Sequence, residues 1–218
     1  MTVPDWLGWA QRLQAIAQTG LSYEPSIFDR ERYDKIQEIA AEMLAAHSGA
    51  PQRLFADLYS AQAGHATPKV DVRGVVFRGD ALLLVRENLD GGRWTIPGGW
   101  ADIGDTPAES AVREVYEETG YRTRAVKVLA VLDRSRHAHP PHVFHIYKLF
   151  FLCELLNGGQ REAGYVAQTS AAFVETGEAA FFTEDAIPAE LSLGRVTPAQ
   201  IARFFEHHRS PALPTDFD

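Results

Sequence analysis

Between Gly99 and Tyr121 the chain carries a helix whose start, stop and faces are all written in its residues. Thr106 is an N-cap, Pro107 suits the first helical position, and Glu109 completes a capping box with Thr106. Gly120 then supplies the stop. Ala108, Ala111, Val112 and Val115 recur at helical spacing and form an apolar side that must be buried. Glu114, Glu117 and Glu118 stand at i, i+3 and i+4 and so share one face. Like charges at that spacing destabilise an isolated helix by about 0.2–0.5 kcal/mol per pair. Three carboxylates so placed make chemical sense around a hard divalent cation, for which oxygen is the preferred ligand. Arg113 is placed to orient or neutralise one of them, and Glu109, four residues before it, can pair with it.

The spacing Gly99, Asp105, Arg113, Glu114, Val115, Glu117, Glu118, Gly120, Tyr121 resembles the Nudix box, G-x(5)-E-x(7)-R-E-U-x-E-E-x-G-U with U a bulky apolar residue. Asp105 departs from it by one methylene, at a position whose usual role is supportive. The resemblance implies an α/β/α sandwich around a mixed sheet, a loop–helix–loop that binds Mg²⁺ or Mn²⁺, and hydrolysis of a nucleoside diphosphate linked to a moiety X. Carried over by position, it implies Glu114, Glu117, Glu118 and the Gly99 carbonyl as metal ligands and Arg113 as the residue that orients a glutamate. Glu114 is either a ligand or the base that activates water. A base on a later loop is the alternative, and Glu175 and Glu178 are the candidates.

The rest of the chain divides by periodicity. Trp6, Trp9, Ala10, Leu13, Ile16 and Ala17 suggest one helical stripe, and Tyr33, Ile36, Ala40, Met43 and Leu44 a second, opened by Ser26 with Asp29 and closed at Gly49. Leu54, Phe55, Leu58 and Tyr59 fit a short third helix. Residues 64–68 read as a linker. Val70–Phe77 and Ala81–Arg86, rich in Val and Leu around Arg78-Gly79-Asp80, read as a hairpin. Short strands follow at Trp94–Ile96, Ala125–Asp133, Val143–Leu155 and within Ala171–Phe182, then a helix over Pro198–His208. The expected class is α+β: a small all-helical domain over 1–65, a Nudix domain over 66–209 and an irregular tail over 210–218.

Trp6-Leu7-x-Trp9-Ala10, the run Leu13–Tyr23 and Asp29-Arg30-Glu31-Arg32-Tyr33 resemble the helical N-terminal extension of a Nudix subfamily that hydrolyses X-linked nucleoside diphosphates. That resemblance implies ADP-ribose-like or CDP-alcohol (CDP-choline-like) substrates, release of a nucleoside monophosphate, and a homodimer. Action on RNA ends, or a non-catalytic nucleotide-binding regulator, are the other readings. Arg73 and Arg86 lie on the first two strands and are candidate phosphate contacts; Trp94 is a candidate base-stacking residue. His137, His139, His142 and His145 flank two prolines, which reads as a loop more than a zinc site. With 29 acidic against 21 basic residues the net charge is −8, which disfavours duplex nucleic acid as partner. The single Cys153 excludes an intramolecular disulfide. The longest strongly apolar run, Leu149–Cys153, is far below the ~20 residues of a membrane helix. A cytoplasmic protein of ordinary globular composition is expected.

Overall fold

A computed structural model of the chain describes residues 4–165, 169–170, 173–174 and 176–218. They fall into two compact units. One holds residues 4–69 together with Pro141–His145; the other holds Val70–Pro140 and Ile146–Asp218.

The first unit is built from α1 (Asp5–Leu21), α2 (Ile27–Ser48) and α3 (Gln52–Ser60). Ser26 caps α2 by accepting from the Asp29 amide, and Gly49 closes it in the left-handed region. Its core is Leu7, Ala10, Ala40, Ala41, Leu44 and Tyr59. The face of α1 that is buried is Leu7, Ala10, Gln14 and Ala17, narrower than the expected stripe. Trp9 and Ile16 stand 55% and 56% exposed. The reason is the partner: α2 presents small residues, Ala40 and Ala41, which admit a close approach along one row of α1 and leave larger flanking side chains outside.

The second unit is a mixed eight-stranded sheet. Its strands are β1 (Lys69–Arg78, of which Lys69 falls in the helical unit), β2 (Ala81–Glu87), β3 (Arg93–Thr95), β4 (Gly98–Trp100), β5 (Thr123–Asp133), β6 (Ile146–Leu155), β9 (Thr176–Thr183) and β10 (Asp216–Phe217). The short pair β7 (Thr169–Ser170) and β8 (Phe173–Val174) lies apart. The order β10-β5-β6-β1-β2-β3 runs through the centre, with β4 paired to β1 and β9 to β2. β10 runs parallel to β5, whereas β2 meets β1, β3 and β9 in antiparallel fashion.

Alternation along the central strands divides the core in two. Val72, Val76 and Leu83 face Ala111 and Val115 of α4 (Pro107–Thr119). Val75, Leu82, Leu84 and Phe150 face Ile201, Phe204 and Phe205 of α5 (Pro198–Arg209). Helices thus cover both faces, the sandwich that the sequence implied.

Two boundaries differ from the sequence reading. The strand expected from Val143 starts only at Ile146, because the Pro140-Pro141 pair cannot donate to a ladder and Val143 packs instead with the helical unit. The tail expected to be irregular ends in β10. Asp216 receives two hydrogen bonds from Arg203, at 2.7 and 2.8 Å, and Lys127 donates to the Pro211 carbonyl at 2.9 Å. Those contacts are distant in sequence and invisible to periodicity.

Candidate active site

The site is assembled where α4 meets the β3–β4 turn. Thr106 and Glu109 form the capping box, with Glu109 Oε2 accepting from the Thr106 amide at 2.8 Å and from its hydroxyl at 2.7 Å. Glu109 is therefore engaged in the cap, not in the expected pair with Arg113. At the other end Gly120 sits at φ +73°, and a Cβ there would lie 2.5 Å from the Tyr165 ring. Tyr165 in turn donates its hydroxyl to the Glu117 carbonyl, which fixes the last turn of the helix.

Gly98 is the second demanding glycine, at φ +143° with the Val72 carbonyl 2.1 Å from any added Cβ. Only glycine takes that conformation and approach. The consequence is functional: the Gly98 amide points to Glu118 and donates to its Oε2 at 3.0 Å. Next to it, a Cβ on Gly99 would meet Glu114 Oε2 at 3.0 Å, so the Glu114 carboxylate rests against the bare backbone of β4.

Arg113 is the hub of the acidic face. It donates to Glu114 Oε1 at 3.0 Å, to Glu117 Oε2 at 3.1 Å and to Asp105 Oδ2 at 3.0 Å, and lies 2.9 Å from Asp102. It orients two of the three glutamates. Asp105, one methylene shorter than the box pattern, still reaches it.

Below this face lies a buried ion cluster that the sequence reading missed. Asp71 accepts from Arg73 Nε at 2.9 Å and Nη2 at 2.6 Å, and from Lys148 Nζ at 2.6 Å. Arg73 also donates to the Ile96 carbonyl at 3.1 Å. Burial opposes charge on Asp71, yet the two cations hold its carboxyl well below the usual range. Burial pulls Lys148 down to about 8, with Asp71 resisting. Arg73 is only 3% exposed, and its nitrogens are taken by Asp71 and Ile96. The structure thus makes it a support for the loop before Gly98, where the sequence suggested a phosphate contact. Its charge still acts on Glu118 and Glu114.

Of the other sequence candidates, Trp94 is 5% exposed and packs edge-on against Phe182 at 4.8 Å, a core role in place of base stacking. Arg86 lies over the Trp94 ring at 4.6 Å, donates to the Gly92 carbonyl at 2.9 Å and faces Glu178 at 3.6 Å. Glu178 is exposed beside it; Glu175 lies outside the described residues. The histidines disperse. His139 bonds to the Leu193 carbonyl at 2.7 Å and to Gln200 at 3.1 Å, and His137 to Asp218 at 3.1 Å, while His142 and His145 belong to the other unit.

Among the described residues no three His, Cys, Asp or Glu side chains already converge as a metal-holding set, because Arg113 draws Glu114 and Glu117 while Gly98 draws Glu118. The donor set nevertheless fits a hard divalent cation. Asp102, Asp105, Glu114 and Glu117 face a single guanidinium, Arg113, Glu118 takes only the Gly98 amide, and the inner cluster adds only one net positive charge. Burial, with Glu114 and Glu87 nearby, pushes Glu118 up to about 8 despite Arg73 and the Gly98 amide. Burial likewise raises Glu114, with Glu117 adding to it against Arg113. Buried carboxylates short of positive charge, all with oxygen donors, are what Mg²⁺ or Mn²⁺ compensates.

Comparison with known proteins agrees with this geometry. Residues 67–200 match the NUDIX domain, and residues 4–59 match a family described as a UDP-X-like, N-terminal oligomerisation domain. The chain belongs to the Nudix family and is a Nudix pyrophosphatase, a hydrolase. It is 45% identical over 213 residues to a Bacillus subtilis (strain 168) protein named "Putative ADP-ribose pyrophosphatase YjhB", covering 98% of this chain and 97% of that one. It is similar to the crystal structure of an ADP-ribose pyrophosphatase from Streptococcus suis 89-1591, with 37% identity and a TM-score of 0.58 over 70% of this chain and all of that one. A crystal structure of a UDP-X diphosphatase covers both chains fully at 30% identity and a TM-score of 0.59.

Proposed function

We propose that the chain hydrolyses the pyrophosphate bond of a nucleoside diphosphate linked to X, dependent on Mg²⁺ or Mn²⁺, and releases a nucleoside monophosphate. ADP-ribose-like compounds are the first candidates and CDP-alcohols such as CDP-choline the second; the names of the relatives add UDP-linked compounds to the panel. One observation carries the reading: four carboxylates gathered around Arg113, with Glu118 beside them on the Gly98 amide, short of positive charge. A bound divalent cation would neutralise the pyrophosphate and lower the pKa of a bound water.

In this reading Glu114, Glu117, Glu118 and the Gly99 carbonyl hold the metal, and Arg113 orients Glu114 and Glu117. Glu114, or a later glutamate, Glu175 or Glu178, removes the proton from the attacking water. Arg86, which is partly exposed, is the substrate-facing cation. All three box glutamates are present, which favours turnover over a non-catalytic regulator; the acidic charge disfavours a long RNA but not a short RNA end, which is the alternative substrate. Trp9, Ile16, Ile27 and Phe28 are exposed apolar residues of the helical unit, which supports a homodimer through that unit. Among the described residues no helix is long and apolar enough to cross a membrane; a lone buried thiol fits a reducing compartment such as the cytoplasm.

The test is a panel of ADP-ribose, CDP-choline and UDP-linked substrates with Mg²⁺ or Mn²⁺ and with EDTA. Metal-dependent release of nucleoside monophosphate from at least one is expected. No release from any diphosphate-linked substrate overturns the reading. Light scattering on the intact protein should give twice the chain mass.

A further inference from the structure

The helical unit forms an open cavity of about 270 Å³ that the hydrolytic reading does not use. It is formed by α1, by the end of α3 and the segment after it, and by residues 143–145. The chain carries a net charge of −8, yet none of the described residues lining this cavity is Asp or Glu. Lys69 and Arg12 line it instead. Lys69 Nζ donates to Gln62 Oε1 at 2.7 Å and lies 5.3 Å over the Phe144 ring; neither partner carries charge. Arg12 is exposed and forms no ion pair with the described residues. Two cations without a counter-charge in an acidic protein mark a place for an anion.

The floor is polar as well. Tyr59 lines the cavity, is 2% exposed, and its hydroxyl has no hydrogen-bond partner among the described residues. A buried orphan hydroxyl costs about 1–3 kcal/mol, so a fold that keeps one is stabilised by whatever satisfies it. Gln14, 8% exposed, donates through Nε2 to Gln18 at 2.8 Å, which leaves its Oε1 to accept. A guest that meets both ends carries an anionic group for Lys69 and Arg12 and hydroxyls for Tyr59 and Gln14.

We propose that this cavity binds a small phosphate monoester with free hydroxyls, either a sugar phosphate or a nucleoside 5′-monophosphate, with its phosphate at Lys69 and Arg12 and a hydroxyl at Tyr59 and Gln14. The site lies wholly within the helical unit and is independent of the reaction proposed above.

Calorimetric titration of the full-length protein in EDTA tests it, with ribose 5-phosphate, AMP, inorganic phosphate and ribose as probes. At least one ester should bind saturably, once per chain and more tightly than inorganic phosphate, while ribose should not bind; which ester binds names the source. Lys69→Gln should weaken it by about tenfold or more, the loss of one charge-assisted hydrogen bond. Tyr59→Phe should also weaken it, while the Tm of the ligand-free protein stays the same or rises; a merely structural hydroxyl would give the opposite pattern. Glu118→Gln should leave the affinity unchanged. The proposal fails if neither ester binds saturably, if ribose or inorganic phosphate binds as tightly as the esters, if Lys69→Gln and Tyr59→Phe leave binding as it was, or if Glu118→Gln abolishes it.

Discussion

Helices α4 and α5 open on nearly the same four residues, Thr106-Pro107-Ala108-Glu109 and Thr197-Pro198-Ala199-Gln200, and both form capping boxes with proline in the first turn. They lie on opposite faces of one sheet and do opposite things. α4 buries only a narrow strip, Ser110, Ala111, Val115 and Thr119, and turns Arg113, Glu114 and Glu117 outward. α5 buries Gln200, Ile201, Phe204, Phe205 and His207, and even its cap, Thr197, is 2% exposed. A nearly identical start therefore says where a helix begins and nothing about its task. The residues beyond the first turn, and the face of the sheet they meet, decide whether it carries chemistry or core.

The division can be broken from either side. Phe204→Ala, which removes a ring packed 4.8 Å from Phe150, should cost about 3–5 kcal/mol in urea unfolding, with kcat of the folded fraction unchanged. Glu118→Gln on the other face should do the reverse. Turnover should fall on the order of 10²–10³-fold, as when one preorganised charge-stabilising group is lost. Stability should hold or rise, since a carboxyl whose ionisation is opposed by burial is replaced by a neutral amide. A Glu118→Gln variant with full activity would remove α4 from the chemistry.

The two caps sharpen the comparison further. Thr106→Ala should cost about 1 kcal/mol, because the exposed amide it leaves can turn to water. Thr197→Ala should cost nearer 2 kcal/mol, because the Gln200 amide it leaves is buried. Equal losses in thermal melts would mean that burial of the cap does not matter.

An effect of similar size, confined to low pH, concerns the contact of α5 with His139. Burial lowers His139 to about 4, and its neutral ring is satisfied by the Leu193 carbonyl and Gln200. The unfolded chain takes up that proton near pH 6.5, the folded one only near 4. Between those values the unfolded state binds more protons, so stability is lost as pH falls from 6.5 towards 4, by about 1–2 kcal/mol at pH 5. His139→Gln should flatten that slope in melts at pH 7 and 5; an unchanged slope would place the titration elsewhere.

Much of the site was legible because it is local. The cap, the stop at Gly120 and the shared face of Glu114, Glu117 and Glu118 depend on residues within two helical turns, and the helix over Pro107–Thr119 follows from them. Arg73 and Trp94 were misread because a residue type on a strand does not reveal its face or its partner. Asp71 and Lys148, 77 positions apart, meet only when β1 and β6 lie together. The narrow buried face of α1 depended on the alanines of α2 in the same way.

By itself, then, the sequence determined the carboxylate helix, its family and the kind of cation it suits, since hydrogen bonds and periodicity within a few residues carry that information. Tertiary structure alone decided that Arg113 binds two of the glutamates, that Glu118 is sunk against the Gly98 amide, and that, among the described residues, a cavity of the helical unit has no acidic lining and a buried hydroxyl without a partner. Those features are sums over contacts distant in the chain, where burial sets the strength of every charge and only packing determines what is buried.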